Sequence, residues 1–501
     1  MGAVGFAGLA GCTGSADGEE PFRLSIPFFP ETLEIDEIGF RFRELGVFET
    51  LVRVTREGDL EGLLATDWVA DDEAMRWQFE LREGVTFHDG SPLTAEAVAF
   101  SLERALELPT SRIEGLPVES VQATDERTVT VETTEPLAPL PAHFARADSS
   151  IISPNSVDDS GEMDQPISTG PFQFESWEPE SEIVVERFEE YYGPEPHLGR
   201  IVYTKIEDGQ TRTLSLLNDE IDLANNLPIA AVEDIESDDD TEVLLKKGVS
   251  DRIIVFNTAR EPFDDRQVRQ AFMHAVDKQA IVDDLLEGVT TPAYGPWDES
   301  INEWANPAAT TYAFDPDQAR SLLDSAGWEL DADEEVRYKD GTPLDIELWA
   351  YTERPNLPTI AEAMQFELDR VGFDTDVRVS EFNALDEAKQ NEAFDVSVEH
   401  WPMFGDPSDP DSLSKYYDPA QSVVHSHYDN STVVEQLDAG RQTTDRTERE
   451  AIYNDIQEIV TEDVPVGFLA RQTHIEGVRS TVEGYDPNPL IDEFELENVE
   501  K

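Results

Sequence analysis

The sequence predicts an α/β fold, on three observations. Short segments alternate in polarity, or run apolar, as strands do. Longer segments between them place apolar residues at i, i+4 and i+8, the spacing of one helix face. Capping residues, Gly and Pro punctuate the two kinds of segment, which succeed one another along the chain.

The strands come first in that reading. Arg127–Val131 alternates in polarity, and Glu182–Glu186 does so in part. Arg252-Ile-Ile-Val-Phe256 reads as a buried strand. Asp345–Trp349, Asp374–Val379 and Phe394–Val398 are three more. Helices fall between these. Val268, Phe272 and Val276 share one face, as do Ile360, Met364 and Leu368, and Ile452, Ile456 and Val460. Around residues 315–327, Asp315 suits an N-cap, Pro316 the first turn and Gly327 the C-terminal stop. No repeat of 20–50 residues and no long low-complexity tract interrupts the pattern. No Gly/Ser-rich linker follows residue 21. Domains are therefore expected to be joined by crossing strands, not strung like beads.

The chain has 501 residues, 39% of them hydrophobic and 9% aromatic, enough to build a core and to argue against wholesale disorder. Its length suggests about two to four domains. No stretch reaches the roughly 18 apolar residues of a membrane-spanning helix. There are 36 Lys and Arg against 109 Asp and Glu, a formal net charge of −73, which argues against nucleic acid and anionic lipid as partners. The acid is spread along the whole chain. That pattern resembles proteins adapted to salt-saturated surroundings, where self-repulsion is screened. Any one carboxylate then reads as solvated surface, and paired carboxylates carry no signal of acid–base chemistry.

The chain opens with an apolar, small-residue run ending Leu9-Ala10-Gly11-Cys12. It resembles a lipobox, in which a signal peptide is cut before a cysteine that becomes lipidated. Cys12 is the only cysteine, which excludes internal disulfides and any cysteine-cluster metal site. No basic segment precedes the run, which suggests a start assigned late or a trimmed precursor. Stable anchoring would take more than one lipid chain on Cys12. Residues 1–21 read as a signal remnant and tether.

Several separated segments carry a family likeness. Phe48-Glu-Thr-Leu-Val52 precedes Leu63-Leu-Ala-Thr-Asp-Trp68. The most distinctive segment runs from Trp77 to Val98 and contains Phe87-His88-Asp89-Gly90 before a helix. Ser168-Thr-Gly-Pro-Phe172, Arg187 to Leu198, Gly209 to Asp222, Phe256-Asn-Thr258 and Asp265 to Lys278 follow in order. Over about residues 22–490 these resemble the family 5 extracytoplasmic solute-binding proteins of importers for dipeptides, oligopeptides and nickel, and in acidity those of salt-loving archaea. Within the motifs, His88 reads as bonding backbone in a tight bend. Gly170-Pro171 reads as a fixed turn, and Arg266 and Arg269 as ion-pairing helix residues.

The resemblance implies a two-lobed periplasmic-binding-protein-like fold of type II, with an extra subdomain in the first lobe. Lobe one would hold residues 22–252 and 467–501, with 48–165 as the extra subdomain, and lobe two residues 253–466. It implies a monomeric, lipid-anchored protein on the outer face of the membrane. That protein would pass a small solute to ABC importer permease subunits with a separate ATPase. The chain has no phosphate-binding Gly-x-x-x-x-Gly-Lys-Ser/Thr loop of its own. No cofactor is implied; a Ni(II) chelate would be cargo.

The ligand is expected around Trp401 in Glu399-His-Trp-Pro-Met-Phe-Gly-Asp-Pro407. In peptide-binding relatives an aspartate three residues after the tryptophan holds the peptide amine. Here Phe404 takes that place and Asp406 is the nearest acid. In nickel-type relatives a Trp-Gly-x-Pro-Tyr-Asp-Pro loop precedes a metal-contacting histidine. Trp401 and Asp406-Pro407 match it, Gly405 replaces the tyrosine, and His425 and His427 follow. Imidazole suits Ni(II), and two histidines at i, i+2 would point the same way if extended. A polar surface loop beside the glycosylation-type triplet Asn430-Ser-Thr432 is the competing reading. First-lobe arginines hold chelator carboxylates in nickel-type relatives, which nominates Arg112 and Arg146, with Arg354 from lobe two. Arginines balancing an acidic surface are the alternative. The overall likeness, especially from Asn257 through Val282, leans towards the nickel-type branch. Rival functions are a secreted hydrolase and a ligand sensor on the same fold. The chain has no Gly-x-Ser-x-Gly and no His-Glu-x-x-His.

Overall fold

A computed structural model describes residues 20–27, 32–108, 111, 113–300, 302–331, 335–354, 356–402, 409–488 and 494–501. The strand signals all become strands, Thr128–Thr133 in an antiparallel sheet and the others in one mixed sheet, and helices pack on them, giving the α/β fold that the alternation predicts. Asp315 caps the helix Pro316–Ser325 by accepting from Gln318 N at 3.0 Å. Gly327 takes the left-handed φ of +87° that stops it. Val268, Phe272 and Val276 are wholly buried, as are Ile360, Met364 and Leu368.

One 11-stranded sheet runs through the molecule. From one edge its order is Asp374–Ser380, Asp345–Tyr351, Val396–Pro402, Thr241–Phe256, Val466–Arg479, Leu223–Ala224, Phe22–Ile26, Arg200–Lys205, Glu182–Arg187 and Phe172–Glu178. Thr291–Pro292 pairs beside Val466–Arg479. The first three strands are mutually parallel, and Thr241–Phe256 runs antiparallel to Val396–Pro402. Helix Asn356–Asp369 packs over the three parallel strands. A separate four-stranded sheet, Ala65–Ala70, Arg76–Leu81, Thr128–Thr133 and Val118–Ala123, carries helix Ala95–Glu107.

Burial divides into distinct cores. The largest draws on Val249 through Ala470. A second joins Phe22, Leu24, Phe172, Ile201 and Val478. A third lies under the four-stranded sheet, from Leu51 to Ile151. A small fourth gathers Leu216, Ile235 and Ile475. Thr241–Phe256 and Val466–Arg479 cross between them: Ile253–Phe256 and Phe468–Ala470 belong to the largest core, Ile475 to the fourth and Val478 to the second. Their pairing is regular from Thr241↔Arg479 to Lys247↔Thr473, shifts between Lys247 and Asp251 and again between Arg252 and Ile253, then resumes. Such irregularities bend and twist a ladder, and this one falls where the strands pass from one core to the next.

The family motifs serve the fold. His88 Nε2–H donates to Gly170 O at 3.0 Å, and Ser168 N–H donates to His88 Nδ1 at 3.2 Å. Both ring nitrogens are thus used by backbone, and burial holds the imidazole neutral down to about 4. Arg266 forms the expected ion pair, 3.0 Å from Glu462. Arg269 does not. Its guanidinium donates to the carbonyls of Asp463 at 2.9 and 2.5 Å and of Phe263 at 2.7 Å. It closes the C-terminal end of helix Arg446–Asp463, whose last carbonyls lack partners of their own.

Candidate functional site

Parallel strands Asp345–Tyr351 and Val396–Pro402 end side by side at Tyr351 and Trp401–Pro402. The carboxyl ends of such strands are where α/β sheets open into ligand crevices. Val396–Pro402 starts two residues later than the apolar pattern suggests and continues through Trp401. The tryptophan is therefore on the sheet, opposite Asp251, with His400 opposite Arg252.

Trp401 is half-buried, and its orientation is set from beneath. Its Nε1–H donates to Glu399 Oε2 at 2.5 Å. The Glu399 carboxylate also accepts from Lys389 Nζ at 2.8 and 2.9 Å and from Ser397 Oγ at 2.5 Å. Lys389 arrives from helix Phe382–Gln390, whose first residue, Phe382, meets Tyr351 and Trp401 edge-on at 5.1 and 6.1 Å. The indole N–H is thereby engaged inside the protein, and the ring face is the part left to meet a solute.

Next to Trp401 the charges change sign. Asp251 is wholly buried and pairs with Arg471 at 2.6 Å, and Arg471 also donates to Gly295 O and Pro296 O. Burial pushes Asp251 up to about 7 despite that arginine. Arg252 lies on the opposite face of its strand. Burial lowers it to about 10, and Arg354 repels it. His400 and His474 are held neutral to about 3 and 4, chiefly by burial.

The remaining residues nominated by sequence are spread around this edge. Arg354 is exposed in the segment after Tyr351 and lies beside the Tyr351 hydroxyl. Arg146 is largely buried, 4.0 Å from Asp148, and its charge is felt at His143 and at Lys415. Lys415 belongs to the part of the chain that builds the largest core, so the two cations lie near one another where the cores meet. Two further contacts cross there: Ala138 N–H donates to Arg441 O at 2.7 Å, and Arg446 meets Asp59 at 3.2 Å. Arg112, Phe404, Asp406 and Cys12 lie outside the described residues.

His425 and His427 do not share a direction. Both have left-handed backbone, φ of 48° and 55°, so the extended alignment fails. His425 Nε2 is 3.9 Å from Asp386 Oδ1, while His427 Nε2–H donates to Lys389 O at 2.8 Å. Among the described residues no group of three His, Cys, Asp or Glu side chains is arranged to hold a metal ion. Asn430 is an N-cap: its Oδ1 accepts from Thr432 N at 3.0 Å and its Nδ2 donates to Tyr428 Oη at 3.0 Å.

Sequence reasoning missed Lys389, Glu399, Arg252 and Lys415. Arg252 had a signal available, a charge heading an otherwise apolar strand.

Comparison with known proteins places this geometry. The nickel-binding protein NikA of Staphylococcus aureus is 25% identical over 482 residues, covering 96% of this chain and 94% of its own. The dipeptide-binding protein of Escherichia coli is 27% identical over 473 residues, covering 87% and 85%. A nickel ABC transporter structure from Bacillus halodurans superposes with a TM-score of 0.85 at 24% identity, over 96% of this chain and 100% of that one. The oligopeptide-binding protein AppA of Bacillus subtilis, in complex with a nonapeptide, gives 0.73 at 22% identity, over 96% and 98%. At these identities the superpositions speak to the fold. The family described as bacterial extracellular solute-binding proteins, family 5 Middle, matches residues 59–423, most of the chain, and this chain belongs to it.

Proposed function

We propose that this protein captures a small solute between two lobes outside the cytoplasm and delivers it to the permease of an ABC importer driven by a separate ATPase. Membership of the family makes it a binding protein, not a hydrolase. Lobe one is residues 22–252 with 467–501, residues 48–165 forming its extra subdomain, and lobe two is residues 253–466. The observation that carries the reading is the crossing strand pair Thr241–Phe256 and Val466–Arg479. Its ladder breaks between two separate cores, one residue from the Asp251–Trp401 pair. A hinge there lets a solute bound by both lobes favour the closed form, because only that form offers both sets of contacts.

The cargo is of the peptide or nickel-chelate class. Proteins named for nickel binding and for dipeptide binding are both among the relatives, at similar identity. Trp401 offers a ring face to the solute, and Arg146 and Arg354 offer guanidinium groups from the two lobes. A lipid on Cys12 would hold a single copy at the membrane surface.

Thermal unfolding in molar KCl tests the reading, with nickel plus histidine in one sample and mixed dipeptides in another. Ligand at about 100 times its Kd adds about 2.7 kcal/mol. A raised midpoint in either sample supports capture. A rise with nickel–histidine that disappears in a His425→Ala, His427→Ala variant assigns a metal chelate. A rise with dipeptides alone removes the metal-chelate cargo. No rise in either sample overturns both cargo classes.

A further inference from the structure

Arg446 is the first residue of helix Arg446–Asp463, directly after the N-cap Asp445. The free N–H groups there carry a partial positive charge, so the helix itself would favour an acid at this position over a cation. The arginine is held by other partners. Its guanidinium lies over Trp304, 4.1 Å from the ring centroid, and pairs with Glu303 at 3.1 Å. Its other terminal nitrogen pairs with Asp59 at 3.2 Å. On the proposed boundaries Glu303 belongs to lobe two and Asp59 to the extra subdomain of lobe one. In a chain with 109 acidic and 36 basic residues, one cation thus stands between an acid from each lobe, where the two acids alone would repel.

Asp59 is carried by a short hairpin. Val52–Val54 pairs with Leu60–Gly62, and Thr55 N–H donates to Asp59 O at 2.8 Å across the turn. Arg56 ties the same turn to the end of lobe one, donating to Glu495 Oε2 at 2.9 Å and to Asp486 O at 2.7 Å. Val54 packs against both the subdomain core and the largest core. A second hold falls on the neighbouring helix Ser431–Gln442. Of its last carbonyls, Ala439 O accepts from Thr443 Oγ1 at 2.9 Å and Gly440 O from Arg449 Nε at 3.1 Å, both within lobe two. Arg441 O instead accepts from Ala138 N–H of the subdomain, at 2.7 Å. The junction between the two helices, residues 441–446, is therefore gripped at both ends.

We infer that the extra subdomain is a clasp on this helix junction, and that the clasp sets how much of the protein is closed and so how firmly any cargo is held. The inference rests on the two-lobed reading and concerns closure, not the choice of solute. Neither the hairpin nor the junction includes a residue of the edge around Trp401. Contacts made between lobes without the solute stabilise the closed form equally for every cargo, so they act on affinity through the closed fraction alone. Arg446, Asp59 and Val54 are positioning residues in this sense.

Arg446→Glu and Asp59→Asn test the clasp in the full chain in molar KCl. Arg446→Glu gathers three acids where the lobes meet, yet suits the start of its helix, so the lobes should part while the unfolding midpoint changes little. Asp59→Asn cuts the same pair from the other lobe. Small-angle X-ray scattering should give a larger radius of gyration than wild type for both, and the larger increase for Arg446→Glu. Dialanine and nickel–histidine serve as binding probes. Each probe that wild type binds should bind Arg446→Glu about threefold to tenfold more weakly, by a common factor and through faster dissociation. An unchanged radius in both variants overturns the clasp and leaves solute capture standing. A larger radius with unaltered affinity overturns its hold on the cargo. Loss of affinity for one bound probe and not the other overturns it too, since such a residue would be touching the solute. If wild type binds neither probe, the proposed cargo classes fall while the scattering still decides the clasp.

Discussion

Lys389 and Glu399 form an ion pair in which neither side chain is exposed to solvent, and the same carboxylate fixes the indole of Trp401. Removing one partner strands the other charge in the core. Glu399→Gln should therefore cost about 3–5 kcal/mol, and Lys389→Met a similar amount. The double variant should cost clearly less than the two together, because no charge is left unpaired. Urea unfolding of the four proteins measures this directly. Simple additivity would mean that the pair is not coupled. Where the double variant still folds, weaker solute binding than wild type would follow from an indole that has lost its anchor.

His88 makes the acid limb of stability predictable. Its folded value is lowered to about 4 against an unfolded value near 6.5, because burial and the Ser168 N–H both oppose a second ring proton. Between those values the unfolded chain binds a proton that the folded chain does not, so stability rises with pH across the window. The contribution is complete above about 6.5 and lost as pH falls towards 4, worth about 3 kcal/mol. His143, His400 and His474 are shifted in the same direction, while Glu476, pushed up to about 7, works oppositely. Comparing wild type with His88→Gln isolates the one residue. The variant's midpoint should fall less steeply between pH 6.5 and 4, and identical slopes would refute the assignment.

Two glycines of the family motifs separate crowding from backbone strain. A Cβ at Gly170 would lie 2.2 Å from Gly46 O and 2.7 Å from Val47 O, with no flexible side chain to give way. Gly90 has a φ of +79° and nothing within 4 Å. Gly170→Ala should cost about 3 kcal/mol or more, by overpacking. Gly90→Ala should cost only about 1–2 kcal/mol, the strain of a left-handed residue. Denaturant unfolding of the two variants ranks them, and the reverse order would show that the turn after His88 matters more than the close approach at Gly170.

What could be read in the sequence was local. Asp315, Pro316 and Gly327 act within one helix, so their neighbours in the chain announce them. His88 was legible because the turn around it leaves the ring little to bond but backbone. Arg269 was misjudged because the carbonyl it closes belongs to Asp463, 194 positions away. Glu399 could not be picked out, since with 109 acidic residues no single one stands apart until burial is known. The left-handed backbone at His425 and His427 is imposed by tertiary contacts, among them Thr258 N–H donating to Ser426 O at 2.9 Å. Histidine enters that region more readily than most residues, yet the chain around these two does not mark the bend.

The net charge of −73 sets a dependence on salt that can be separated from ordinary salting-out. Most described cations already sit in pairs, so the surplus carboxylates have only one another as neighbours, and folding brings them closer. At 0.1 M salt the screening length is about 10 Å, long enough for many of them to repel, and at 1 M it is about 3 Å. The unfolding midpoint should therefore climb between 0.1 and 1 M KCl. Sucrose stabilises by exclusion from the protein surface and screens nothing. At matched osmolality in 0.1 M KCl it should raise the midpoint much less. An equal rise in sucrose would mean that repulsion among the carboxylates is not what limits the folded state. A rise confined to KCl would tie the acid surface to the salt in which the protein is stable.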